Sequence, residues 1–249
     1  MLEKTKSSRW FLIIAGFIIN LCLGTVYAWS VFRPPLHQAP YNLAVPQSVL
    51  PFSTFLLLFG ITFAFSGKMI GDVGPRRPAL IGAVLLGVGY LLCYAIASFP
   101  GSTLWITIVG FGLVAGTGCG FAYNPPIAVV GRWFPDRRGL ALGLTVMGFG
   151  LSALITAPVV VAMISMIGLP NTFLVLGVVF LVLLSLLGLL LRFPPTEWVP
   201  PLPRASTSKK SWAASVKDFT IGEMVRTRTF YLAWLIYLVG AGAGLMVIG

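Results

Sequence analysis

Apolar residues in this chain fall in long unbroken runs, not in the alternation of a half-buried strand. A helix needs about 20 such residues to cross roughly 30 Å of hydrocarbon. The pattern predicts spans near Trp10–Phe32, Val49–Gly67, Pro78–Ser98, Thr103–Val130, Gly139–Ile167 and Asn171–Leu191. A further run begins near Phe230 and is still apolar at Gly249. Continuous runs point to helices and away from a membrane barrel, whose strands alternate. Between the sixth and seventh runs lies a polar stretch with Pro194, Pro195, Pro200, Pro201 and Pro203, then serines and lysines. The expected organisation is an all-α integral membrane protein: six spans over 1–191, a linker over 192–228, and a seventh span, cut short, over 229–249. In the linker, Thr220 and Glu223 have the spacing of a capping box, which predicts a short amphipathic helix on the membrane face.

Polar and helix-breaking positions complicate that outline. The first span carries Asn20, Thr25, Tyr27, Trp29 and Ser30 before it meets Arg33 and two prolines. In the fourth, Pro125 and Pro126 follow Tyr123 and Asn124, and Pro158 stands inside the fifth. Proline removes a backbone donor and clashes one turn back, so these helices are expected to be interrupted and bent. Such breaks persist at membrane depth where a cavity or a neighbour satisfies the freed groups, so a kink beside Tyr123 and Asn124 suggests either a lumen or packing relief against a neighbour. Gly112, Gly116 and Gly120 recur on one helix face, as do Gly139 and Gly143, and both sets are expected to form tight helix–helix seams. The glycine patterns at Gly116–Ala122 and Gly148–Ala153 lie in no strand–helix unit, so they are not nucleotide fingerprints.

Composition agrees: 57% of residues are hydrophobic and 9% charged, against about 25% charged in soluble domains. The net charge of +11 is unevenly placed. Sixteen of the seventeen lysines and arginines fall before the first span or in the even-numbered connections, while Arg33 stands alone on the other side. Basic residues stay cytoplasmic during insertion, so the chain is expected in the cell's inner (plasma) membrane, multi-pass, N-terminus inside. The excess charge is therefore a topology signal. Its expected partners are membrane lipids with anionic headgroups, not nucleic acid. The first apolar run, at 23 residues, is longer than a signal peptide's core of about 7–15 residues, and an uncleaved span is expected. Cys22, Cys93 and Cys119 sit in three different spans, and His37 is the one histidine. No ligand spacing or nucleophile–base pair emerges, so neither a metal, a cofactor nor an enzyme is expected.

The cytoplasmic connections "GKMIGDVGPRRP" (Gly67–Pro78) and "GRWFPDRRG" (Gly131–Gly139) each mix an acid with several arginines. Here the chain resembles the major facilitator superfamily. That superfamily's motif between the second and third spans is a glycine, three residues, then Asp-Arg-x-Gly-Arg-Arg. Gly67, Gly74 and Arg76 fit its frame, followed by Arg77. Gly71 fills the aspartate position, and Asp72 stands where arginine is usual. The segments Gly24–Phe32, Arg132–Leu144, Met147–Gly150 and Asp218–Thr227 further resemble the oxalate/formate antiporter family.

The resemblance implies a six-helix N-terminal half with an inverted three-plus-three repeat, a linker, the start of a second half, and a missing C-terminal half. It implies a secondary transporter of small organic anions working by alternating access. Tyr27 and Tyr123 match aromatic positions that wall the family's anion pocket; Phe149 stands where oxalate carriers have tyrosine, and Val26 where they have glutamine. Both exchanges remove hydrogen-bonding capacity, so a monocarboxylate such as formate or lactate is expected over oxalate. Trp29, near Tyr27, is a further candidate for the pocket. Gly67, Asp72, Gly74, Arg76 and Arg77 are the candidate cytoplasmic gating motif. The second reading of the same residues is a non-transporting membrane module that assembles with a partner or a separately encoded second half.

Overall fold

Hydrophobic length sets where these helices cross a membrane, but the helices themselves run further, into the depth where headgroups and water take over. The computed structural model describes residues 2–195 and 221–248. Six helical segments are long and apolar enough to cross: α1 (Arg9–His37), α2 (Gln47–Val73), α3 (Arg76–Ala97), α4 (Pro100–Trp133), α5 (Pro135–Ile167) and α6 (Leu169–Leu190). They belong to one compact unit, Met1–Pro201; a second, Leu202–Gly249, holds α7 (Ile221–Met224) and the apolar α8 (Arg228–Ile248). Thr220 of the expected capping box lies outside the described residues, as does the linker over 196–220.

Two boundaries differ from the sequence reading in ways that matter for function. α1 continues through Arg33, Pro34 and Pro35 to His37. Burial holds this last stretch: Phe32 and Leu36 are fully enclosed, and Phe32 stacks on Phe173 of α6 at 4.9 Å between ring centres. α2 continues to Val73, so Gly67, Lys68 and Asp72 are helical and the connection shrinks to Gly74 and Pro75. Gly74 ends the helix at φ +80°, a left-handed conformation that favours glycine.

The expected interruption at Pro125 and Pro126 is not there; α-helix runs from Gly116 to Trp133 through both rings. Pro125 has no N–H for the carbonyl of Phe121 one turn back, and the Ser66 hydroxyl of α2 donates to that carbonyl instead, at 3.1 Å. α5 likewise stays helical through Pro158. The irregular backbone lies elsewhere: a π-helical stretch at Ile108–Ala115 in α4 and a 3-10 stretch at Gly24–Ala28 in α1.

α3 packs on α6 and α4, α2 on α4, and α1 on α5 and α4. Gly112, Gly116 and Gly120 do form a seam, against α2. A Cβ at Gly116 would sit 2.8 Å from the Phe55 carbonyl, and one at Gly112 2.9 Å from Thr54. Gly139 and Gly143 do not: a Cβ at either would meet nothing within 4 Å. Their helix meets α1 along another face, where a Cβ at Gly148 would strike the carbonyl of Phe17. Periodicity showed that these glycines share a face but not whether any helix covers it.

Candidate functional site

The site begins with a departure from α-helical geometry. In α1 the carbonyl of Leu21 accepts the Ser152 hydroxyl of α5 at 2.6 Å, and that of Leu23 faces the Cys119 thiol of α4 at 4.0 Å. Gly24 follows, so close to α5 that an added Cβ would lie 2.5 Å from the Phe149 carbonyl. Side chains entering a helix ladder displace its regular bonds, and here the 3-10 stretch starts at the same point. Tyr27 sits within it and is half-buried.

From there the ring of Tyr27 meets Phe149 edge-on, centroids 5.1 Å apart at 78°. Phe149 in turn meets Tyr123 edge-on at 4.9 Å and lies parallel to Phe59 of α2 at 6.1 Å. Phe59 and Phe63 both pack on Tyr123, at 5.6 and 5.7 Å. Such edge-to-face pairs set positive ring edges against negative faces and hold the rings at fixed angles. Three of the predicted residues, from α1, α4 and α5, thus form one cluster with Phe149 at its centre. Polar bonds fix the α2–α4 wall: Asn124 Nδ2 donates to the Phe63 carbonyl at 2.8 Å, and the Thr62 hydroxyl reaches the Thr117 carbonyl at 3.3 Å.

The extra length of α1 also resets the depth of Tyr27. With the span ending at Phe32 it is five residues from the end; with the end at His37 it is ten residues inside. Tyr27, Phe59, Tyr123 and Phe149 are each at least ten residues from either end of their spans, about 15 Å along a helix axis. The cluster is therefore near mid-membrane. Six or more residues from either end of the six spans no acidic or basic side chain occurs, so the wall at this depth is aromatic and phenolic and carries no countercharge.

Trp29 is not brought to this group. It is 2% exposed, stacks on Phe111 at 4.2 Å, and donates its indole N–H to the Ser48 carbonyl at 2.9 Å. Val26 is also buried and is not part of this group's exposed face. Phe59 and Phe63 escaped the sequence reading, although the four-residue spacing of Phe55, Phe59 and Phe63 marks one face of α2.

The candidate gating motif is partly engaged. Arg76 Nε donates to the Leu191 carbonyl at 3.2 Å. Asp72 and Arg77 are exposed, and among the described residues Asp72 has no ion-pair partner. Gly67 faces Asn124, whose amide nitrogen would be 3.9 Å from an added Cβ. The ion pair of this face is one that spacing gave no hint of. Arg9 makes two bonds, at 3.0 and 3.2 Å, to the carboxylate of Asp136, 127 residues away, with the Phe134 ring 4.7 Å from its guanidinium. That pair fastens the N-terminal end of α1 to the turn that begins α5.

Comparison with known proteins bears on this arrangement. The model of the Major Facilitator Superfamily matches residues 10–249. Over 246 residues the chain is 28% identical to the oxalate:formate antiporter of Oxalobacter formigenes, covering 97% of this chain and 54% of that protein. It is 28% identical over 246 residues to the uncharacterized MFS-type transporter YhjX of Escherichia coli K12, covering 98% and 57%. Human monocarboxylate transporter 14 is 31% identical over 180 residues, covering 69% of this chain and 33% of the relative. The chain spans about half the length of the first two of these relatives.

Proposed function

Because this chain belongs to the Major Facilitator Superfamily, we propose that it is the N-terminal half, with the start of the second, of a carrier for small monocarboxylates. The observation that carries the reading is the mid-membrane cluster of Tyr27, Phe149 and Tyr123. Two phenols can donate to the two oxygens of one carboxylate, while the rings exclude water and narrow the slot. Phenylalanine at 149 leaves a second carboxylate without a donor from that position. A site that strands a polar group discriminates strongly against it, which favours formate or lactate over oxalate. The relatives named as an oxalate:formate antiporter and as a monocarboxylate transporter frame the same choice.

The countercharge comes from the other half, because this wall has none. That half covers the open faces of α2 and α5. Gly60, Gly67 and Gly71 lie within an arc of about 40° on α2, and Gly139, Gly143 and Gly150 within a similar arc on α5. Apart from the distant Asn124 amide at Gly67, an added Cβ at any of the six meets nothing within 4 Å. Small residues on a membrane helix serve close helix–helix approach, not contact with lipid tails. Alternating access then amounts to the two halves rocking about the aromatic cluster, with the N-terminus cytoplasmic.

The test is counterflow in liposomes by the protein translated with the sequence downstream of Gly249, and by the 249-residue chain alone. Labelled formate or lactate should enter with the longer protein and not with the shorter, and Phe149→Tyr should raise competition by oxalate. Oxalate competing far better than any monocarboxylate would remove the substrate reading. A reading frame that stops after Gly249, with no uptake, favours a module that assembles with a separately encoded half.

A further inference from the structure

Three elements converge where the chain leaves α6. Arg76, at the start of α3, donates Nε to the carbonyl of Leu191 at 3.2 Å. Trp133, at the end of α4, donates its indole N–H to the carbonyl of Arg192 at 2.8 Å. The guanidinium of its neighbour Arg132 lies 3.7 Å from the centre of the Phe193 ring. Three consecutive residues are thus held by three side chains, from the start of α3 and the end of α4.

Each contact answers a local requirement. The last carbonyls of a helix have no partner within it, and Leu191 is fully buried, out of reach of water. Trp133 is also buried, and an enclosed indole N–H needs an acceptor. Arg132 over an aromatic face gains a cation–π attraction. Pro194 and Pro195 follow at once, and consecutive prolines restrict the chain to extended directions.

We propose that Arg76, Arg132 and Trp133 form a clasp that sets the direction in which the chain leaves α6. Residues 191–193 then move with the bundle. Arg76, which the family motif offered as a gating residue, is here a positioning residue for that connection. Its consequence for coupling two halves rests on the carrier reading; its existence does not, and can be read without transport.

Trypsin provides the readout, because the carbonyl that Trp133 holds belongs to the Arg192–Phe193 bond. The full chain in detergent micelles is digested briefly and the cut at Arg192 followed by mass spectrometry, against the same cut in the denatured chain. The Arg76→Gln/Trp133→Phe double variant should be cut at Arg192 about tenfold faster than the wild type, since cleavage follows the population of the released segment. Trp133→Phe alone keeps an aromatic ring in place and should give about threefold, which carries the test should the double variant fold poorly. Phe193→Ala, which frees only the Arg132 contact, should give a smaller rise. Equal rates in wild type and Trp133→Phe, or a wild-type cut as fast as in the denatured chain, would overturn the clasp. Failure of transport by the longer protein would leave it standing.

Discussion

α1 and α5 pack on each other, yet they live in different surroundings. Their most apolar windows have nearly the same mean hydropathy, 2.2 and 2.1, but 67% of the first is buried and 11% of the second. α1 is enclosed by α4, α5 and α6. α5 touches the bundle along one narrow face and shows the rest. Where the surrounding solvent is hydrocarbon, hydropathy reports only that a helix can reside there, because lipid tails and protein cores are equally apolar. What separates the two helices is the size of their side chains at given angles. Gly148 admits the backbone of α1, while Gly143, about 140° around the same helix, meets nothing within 4 Å.

That contrast can be broken most severely at the seam. Gly148→Leu would drive a side chain into the Phe17 carbonyl, which cannot rotate away. It should cost more than about 4 kcal/mol and abolish the folded bundle, as read by unfolding in mixed micelles with rising dodecyl sulfate. A mild shift of the midpoint would mean that α1 and α5 are not held as closely as described.

The next largest effect is expected at the N-terminal end of α1. Arg9→Gln leaves Asp136 without its partner in a setting where both side chains are about nine-tenths buried. Removing one member of a buried pair costs about 3 kcal/mol, so the same unfolding measurement should show a clear loss. An Arg9→Gln midpoint equal to the wild type would show that water, not Asp136, satisfies the guanidinium.

The smallest effect sharpens the comparison from the other side. Gly143→Leu should change the stability of this chain by less than about 0.5 kcal/mol, because its face is uncovered. In the longer protein the same change should lower transport sharply, because there the face is expected to meet another helix. A Gly143→Leu variant that transports normally would leave α5 facing lipid.

The aromatic cluster divides along similar lines. Tyr27 and Tyr123 could be picked from the sequence because a polar tip in an apolar run asks for an explanation, and Phe149 because the family pattern marked its position. Trp29 could be picked on the same ground, but its indole turned out to serve Ser48 and a buried stack with Phe111. Phe59 and Phe63 carry no polar atom to draw notice. Arg9 and Asp136 stand far apart in the chain, and no periodicity links them. The prolines of α4 do not interrupt its helix, and Ser66 supplies a donor from another helix to the carbonyl that Pro125 leaves unpaired.

The order of residues alone pointed to a membrane as the medium, to six candidate spans that the fold contains, and to an uneven placement of positive charge along the chain, because burial in hydrocarbon depends on length and composition and insertion depends on charge placement. Which face of each helix is covered, where the ladder loosens around Tyr27, and which carbonyls the side chains of Ser66, Ser152 and Trp133 satisfy were decided only by the packed bundle. Those outcomes depend on atoms brought within 3 to 4 Å from distant parts of the chain, and an apolar pattern that suits lipid and protein alike contains no term for them.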